Sequence, residues 1–332
     1  SAPSERGRPG MWKFAGLSAT AGAGALAALA TRRPPEEAPE GRAKTVLVTG
    51  GTSGLGLATV RRLAKRGDLV LTCGRDPERV AAANRIENVR ALECNLAEEH
   101  AACELVHWAR DELAGRPLDV LVNNAGMCRL GDPLLAVPCS RLDDVWAVNA
   151  RAPVMVSQAA WPLMREAESP LLVNVGSTSA SSKFSGLGHF MYPVTKTALL
   201  CFSNSLRLEL GALHPDAKVI HLKTGAFDTK LTEAMADAMS SNLKSYGHPY
   251  DQLAEAVHKN MVDAMRHLSP GPPEAFAETL AAVVHPRGGE GSLRDEYSIN
   301  VSLMEAIVPW LPQWAITSGS KRNIPCVQQL AA

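Results

Sequence analysis

The sequence predicts a doubly wound α/β fold: a single Rossmann-like domain with one parallel sheet, helices on both faces, and a helical C-terminal region. Three observations predict it. Short, continuously apolar runs alternate with helical patterns from residue 45 to residue 222, as expected of strands buried on both faces by crossover helices. A glycine-rich turn, Gly50-Gly51-Thr52-Ser53-Gly54-Leu55-Gly56, stands directly between the first apolar run and the first helix. Beyond residue 223, helical stretches follow one another with no strand between them.

The elements follow in order. Thr-Val-Leu-Val-Thr (45–49) is a short β-rich run, and in the helix after it Leu57, Val60, Leu63 and Ala64 recur at three- and four-residue spacing before Gly67 stops it. Strands are then expected at 69–73, 89–93, 118–122, 170–175 and 218–222, with a charged helix after the third and long helices at 140–167 and 192–211. Helices at 231–246, 250–268 and 274–285 and a last strand near 296–300 close the domain, set at 45–300. Residues 301–332 are expected to give an apolar closing helix and tail, with Ile307, Trp310, Leu311 and Trp314 packed on the domain or on a membrane or partner.

Composition narrows the function. With 332 residues, 46% hydrophobic and 20% charged, the chain can bury a full core. Thirty-four basic residues balance thirty-four acidic ones, against the basic surplus that nucleic-acid binding needs. Seven cysteines with no Cys-x-x-Cys pair exclude a disulfide framework or a zinc ribbon, and no metal is expected. Residues 1–44 are distinct: the uncharged, Ala- and Gly-rich run 14–31 reads as a membrane anchor, an organelle-targeting segment or a flexible tail. The Pro- and Glu-containing stretch 31–41 reads as a stiff, exposed linker.

A glycine turn between strand and helix lets backbone approach a pyrophosphate, and the helix amides point at it. The spacing here, Gly50-x-x-x-Gly54-x-Gly56, differs from the commoner Gly-x-Gly-x-x-Gly. Four more elements appear in order: Asn123-Asn124-Ala125-Gly126, Asn149, Ser177, and Tyr192 with Lys196 in Tyr-x-x-x-Lys. This ordered set resembles the short-chain dehydrogenase/reductase family over about residues 45–300, which implies a Rossmann-like fold and a nicotinamide cofactor.

By that resemblance Tyr192 exchanges the proton at the substrate oxygen, Lys196 lowers its pKa and bonds the nicotinamide ribose, Ser177 holds the oxygen, and Asn149 holds a relay water. Cofactor contacts are expected from Gly50, Thr52, Ser53, Gly54, Leu55, Gly56, Arg75, Asn95, Asn123, Ala125, Gly126, Tyr192, Lys196 and Gly225. Three features depart from the family pattern. Ser177 and Tyr192 are fifteen residues apart, so that Ser179 would restore the usual separation; Thr224-Gly225 replaces Pro-Gly; Asn95 replaces an aspartate.

Gly74 stands where NAD enzymes carry an acid, with Arg75 next, which favours NADP with NAD as the lesser reading. Asp76, before Pro77, is the counter-argument unless it caps a helix. The stretches 202–210 and 245–247 are similar to the branch containing retinol, 17β-hydroxysteroid and 3-hydroxybutyrate dehydrogenases. That similarity implies a lipophilic alcohol or ketone as substrate, a membrane-associated enzyme in an organelle (mitochondrion before endoplasmic reticulum), and homo-oligomers paired through helices 140–167 and 192–211. Met235, Met239, Met261 and Met265 fall in the helical C-terminal region that the resemblance implies covers the substrate, as core or as an apolar pocket wall. The alternative is an accessory subunit of a membrane complex, keeping the fold and a bound nucleotide without turnover.

Overall fold

The computed structural model describes residues 35–38, 41–181, 188–227, 235–267 and 270–299. Seven strands form one sheet: β1 (Thr45–Val48), β2 (Leu69–Gly74), β3 (Val89–Glu93), β4 (Val120–Asn123), β5 (Leu171–Val175), β6 (Lys218–Thr224) and β7 (Glu296–Ile299). Their order is β3-β2-β1-β4-β5-β6-β7, and every pairing is parallel. Val46 sits opposite Val70 on one side and Val120 on the other. Runs such as Val46-Leu47-Val48 are wholly buried because alternate side chains enter two separate cores.

The helices are α1 (Gly54–Arg66), α2 (Pro77–Ala83), α3 (Ala101–Leu113), α4 (Cys139–Trp146), α5 (Ala152–Met164), α6 (Met191–Leu213), α7 (Met235–Ser245), α8 (Tyr250–His267) and α9 (Pro273–Val284). One core joins Val46, Val48 and Val122 to Val60 and Leu63 of α1 and to Phe276 and Leu280 of α9. The other joins Leu47, Leu71 and Leu121 to Leu105 of α3, Val156 of α5 and Leu210 of α6. Truncating one of these leucines to alanine would cost about 2–5 kcal/mol. A third, smaller cluster ties α7 and α8 to the segment after β4 through Leu130, Met239, Leu243, Ala254 and Val257.

The expected strands all form, and β7 falls at the expected place. Helix α2 was signalled only through Asp76, whose carboxylate accepts from the amides of Glu78 and Arg79. Within the expected linker at 31–41, Pro35, Glu37 and Ala38 are half-buried rather than exposed. Glu37 pairs with Arg62 and Arg66 of α1, Glu36 with Arg287, and Arg42 with the buried Asp119. Main-chain bonds also run from Ala38 to His285 and from Arg287 to Glu36. The glutamates that made the stretch look solvated are the groups that dock it, as a strap across the amino ends of the strands. The run 14–31, the closing helix, and residues 182–187 between Ser177 and Tyr192 lie outside the described residues. Among the described residues no helix is long and apolar enough to cross a membrane.

Candidate active site

The strand order reverses between β1 and β4, so the loops that follow their carboxyl ends diverge and leave a crevice. The glycine turn occupies it. Gly50 has φ of 68°, and a Cβ on Gly56 would lie 2.3 Å from the Gly50 carbonyl oxygen. The turn therefore closes tightly onto the start of α1. Ser53 takes the cap position without a side-chain cap bond, and no acidic residue stands in the first turn. The amides of Gly54, Leu55 and Gly56 are thus left for an anion, and the residues present fit a nucleotide pyrophosphate.

Thr49, which the motif reading missed, joins the two loops of the crevice. Its hydroxyl accepts from the amides of Asn124 and Ala125 at 3.0 Å each, and Asn124 Nδ2 donates to the Thr49 carbonyl at 2.9 Å. Ala125 and Gly126 line the crevice floor. A Cβ on Gly126 would sit 3.6 Å from both Asn149 Oδ1 and Lys196 Nζ, so this exposed glycine opens toward the catalytic residues. Asn123 is a correction to the expected cofactor contacts. As the next residue after Val122 on the strand it faces the other side of the sheet, where Nδ2 donates to Asn174 Oδ1 at 2.9 Å and Ser157 Oγ at 3.0 Å. It joins strands and helix under the site.

At the adenosine end, a Cβ on Gly74 would lie 2.1 Å from Thr52 Oγ1, so Thr52 occupies the space of any acidic side chain there. Asp76 is committed to capping α2 and to Arg79. Arg75 is exposed at the mouth of the crevice. Asn95 holds a local turn, its Oδ1 accepting from Ala97 and its Nδ2 donating to Glu98. Gly225 donates its amide to Ile299, closing the end of β6 against β7.

The four predicted catalytic residues come together. Asn149 lies in a π-turn, Ala147–Arg151, between α4 and α5. Pro153, four residues on, has no N–H to return to the Asn149 carbonyl, which accounts for the widened turn. The Asn149 side chain accepts from Met127 N at 2.8 Å and donates to Met127 O at 2.8 Å and Thr195 Oγ1 at 3.1 Å. Both Nδ2 hydrogens are thus committed, and the side chain has none left to donate to the expected relay water. Thr195 in turn donates to the Tyr192 carbonyl at 2.9 Å, so Asn149 fixes the first turn of α6.

Tyr192 and Lys196 stand one turn apart on α6, with Nζ 5.7 Å from the tyrosine ring centre. Ser177, not Ser179, hydrogen-bonds the Tyr192 hydroxyl. Burial raises the Tyr192 pKa well above its ordinary value, the nearby Cys128 adds to this, and the Ser177 bond opposes it. Burial pushes Lys196 down to about 8, and its Nζ donates to the Val175 carbonyl at 2.8 Å. The expectation that Lys196 lowers the tyrosine is not met in this arrangement. Burial weakens the ammonium's own hold on its charge and a carbonyl engages it, while the lowering influence comes from Ser177. Tyr192 is therefore a held acid, ready to give a proton to an oxygen placed beside Ser177. The His189 ring stacks at 6.0 Å from that of Tyr192, and burial pushes the Cys128 thiol up to about 12.

Comparison with known proteins decides the family. A model of the short chain dehydrogenase family matches residues 44–240. The chain belongs to that family. It is 30% identical over 222 residues to a farnesol dehydrogenase of Aedes aegypti, covering 64% of this chain and 88% of the relative. It is 32% identical over 230 residues to the rhamnolipids biosynthesis 3-oxoacyl-[acyl-carrier-protein] reductase of Pseudomonas aeruginosa, covering 64% and 88%. Among solved structures, the Pseudomonas aeruginosa RhlG/NADP active-site complex superposes with a TM-score of 0.61 at 28% identity, covering 80% of this chain and 97% of that one. This short-chain dehydrogenase is an oxidoreductase of CH–OH groups that uses a nicotinamide cofactor.

Proposed function

We propose that this chain is an NADP-dependent oxidoreductase of a lipophilic alcohol or ketone. The carrying observation is the wall beside Tyr192. Cys128 is near enough to Tyr192 to act on its hydroxyl electrostatically, and it packs against the apolar cluster of Leu130, Met239, Leu243 and Val257, with Met235 at its edge. An apolar wall favours an apolar substrate flank. Preference for NADP rests on the exposed Arg75, the Thr52 obstruction at position 74 and the capping duty of Asp76. The NADP complex named for the RhlG neighbour and the farnesol named for the mosquito relative are in line with both halves of the reading.

When bound, the nicotinamide supplies or takes up the hydride. Ser177 holds the substrate oxygen, Tyr192 gives or takes its proton, and Lys196 faces the crevice across Gly126, where the ribose would lie. The same reading carries residues 14–31 as the attachment to an organelle membrane, mitochondrial before endoplasmic reticulum. It carries pairing of copies through the helices at 140–167, which are α4 and α5, and at 192–211 in α6, where Trp146, Val194 and Leu208 are exposed. With Asn149, Ser177, Tyr192 and Lys196 all assembled, no observation favours the non-catalytic subunit. The test is NADPH consumption by the purified chain with farnesal, all-trans-retinal, a steroid ketone and acetoacetate. Higher kcat/KM with the lipophilic carbonyls is expected; a preference for acetoacetate, or for NADH over NADPH, would overturn the proposal.

A further inference from the structure

Of the four catalytic residues, Ser177 alone is carried by neither a helix nor a strand. It follows β5 after a single glycine, Gly176, and glycine has the widest backbone freedom of any residue. No side chain can restrict that freedom, because a Cβ at 176 would lie 2.0 Å from His221 Nε2. The peptide must be held from outside, and β6 holds it. Gly176 N–H donates to the Leu222 carbonyl at 2.8 Å and Thr178 N–H to the Thr224 carbonyl at 2.8 Å. Thr224 Oγ1 donates to the Gly176 carbonyl at 2.7 Å.

The first two bonds need only a main chain at positions 222 and 224. The third needs a hydroxyl. The Gly176 carbonyl and the Ser177 N–H share one peptide plane, so fixing that carbonyl fixes the direction in which the Ser177 side chain leaves the backbone. Thr224 is 7% exposed, which shelters the bond from water. His221 and Thr224, three apart on β6, lie on opposite faces of the sheet, so Gly176 is gripped from both sides.

We propose that Thr224 is the positioning residue for Ser177, its hydroxyl locking the Gly176–Ser177 peptide so that Ser177 Oγ faces Tyr192 and the substrate oxygen. This is the position where the chain departs from the Pro-Gly of the family pattern. A proline would still offer the carbonyl to Thr178 but has no hydroxyl for Gly176. The inference rests on Ser177 holding the substrate oxygen.

The experiment compares Thr224→Val, Thr224→Ser, Ser177→Ala and the double variant in the full chain, using the carbonyl substrate with the highest kcat/KM and NADPH. Thr224→Val should lower kcat about tenfold with NADPH affinity nearly unchanged, and should lower the melting temperature because the buried Gly176 carbonyl loses its partner; Thr224→Ser should restore both. In the Ser177→Ala background, Thr224→Val should cost nothing further, since both changes remove one function. Wild-type kcat in Thr224→Val, or an undiminished further loss in the double variant, would overturn the proposal. Wild-type kcat in Ser177→Ala would overturn it differently, by removing the role of Ser177. A crystal structure of Thr224→Val supplies a readout independent of turnover: Ser177 Oγ should leave the Tyr192 hydroxyl, and an unmoved Ser177 would refute the positioning. Should valine prevent folding, Thr224→Ala gives the same comparisons.

Discussion

Acid should destabilise this protein through His221 before its carboxylates are protonated. The residue is 1% exposed. Its Nδ1 lies 3.0 Å from Ser203 Oγ, whose proton is directed to the Leu199 carbonyl at 2.8 Å and which also accepts from Asn174 Nδ2 at 2.9 Å. The ring Nε2 has no partner among the described residues and presses on Gly176. Burial, followed by the charges of Lys196, Arg207 and Lys223, pushes the imidazole from 6.5 down to about 3.

The unfolded chain therefore takes up a proton below 6.5 that the folded chain refuses until about 3. Stability from this group is complete above the unfolded value and is lost as pH falls through that window. At about pH 5 the loss is roughly 2 kcal/mol, from 1.5 units at ~1.36 kcal/mol each. It depends on the unfolded value alone once the folded one lies below about 4. For a domain of this size the melting temperature should drop about 4–8 °C between about pH 7.5 and pH 5 on this account. The assay is thermal unfolding of the wild type and His221→Gln across that range. The variant should start lower, because it loses packing, and fall less steeply. Equal slopes would refute the reasoning.

Other expectations follow from the site and the strap. Arg75→Ala should weaken NADPH binding about 10- to 100-fold, the worth of a charge-assisted bond, and leave NADH binding unchanged in a fluorescence titration; equal weakening of both would sink the 2′-phosphate assignment. Tyr192→Phe should lower kcat by about 10²–10⁴ with NADPH affinity retained, read from steady-state rates and the same titration. Glu37→Ala removes the anion between Arg62 and Arg66 and should cost about 1–3 kcal/mol without touching NADPH affinity, because the strap lies at the opposite end of the sheet from the glycine turn. A thermal scan with and without NADPH checks both halves.

The ordered motifs and apolar runs were enough to place every strand and to bring Gly50–Gly56, Asn149, Ser177, Tyr192 and Lys196 into one crevice. Periodicity and glycine placement are local properties, and a parallel sheet turns them into position almost by itself. Ser177 over Ser179 was also legible, from its place two residues past the end of β5. The strap was not legible, because Glu36 and Glu37 look solvated until the tertiary fold brings Arg62, Arg66 and Arg287 beside them. Thr49 and Thr195 were missed because hydroxyl residues carry no period; only their partners in space give them a role. Asn123 was misassigned for a related reason: membership of a motif does not say which face of a strand a side chain takes.

The sequence by itself determined the sheet, the cradle for a pyrophosphate and the identity of the proton donor, since each depends on residue types at fixed short spacings. Only the tertiary structure decided the electrostatics and the supports. Whether Tyr192 is raised or lowered depends on burial and on the placing of Cys128 and Ser177 around it. Whether Ser177 is held depends on a threonine on the neighbouring strand, 47 residues on in sequence and within one hydrogen bond of Gly176. Such couplings join residues far apart in the chain, and they exist only once the strands have been laid side by side.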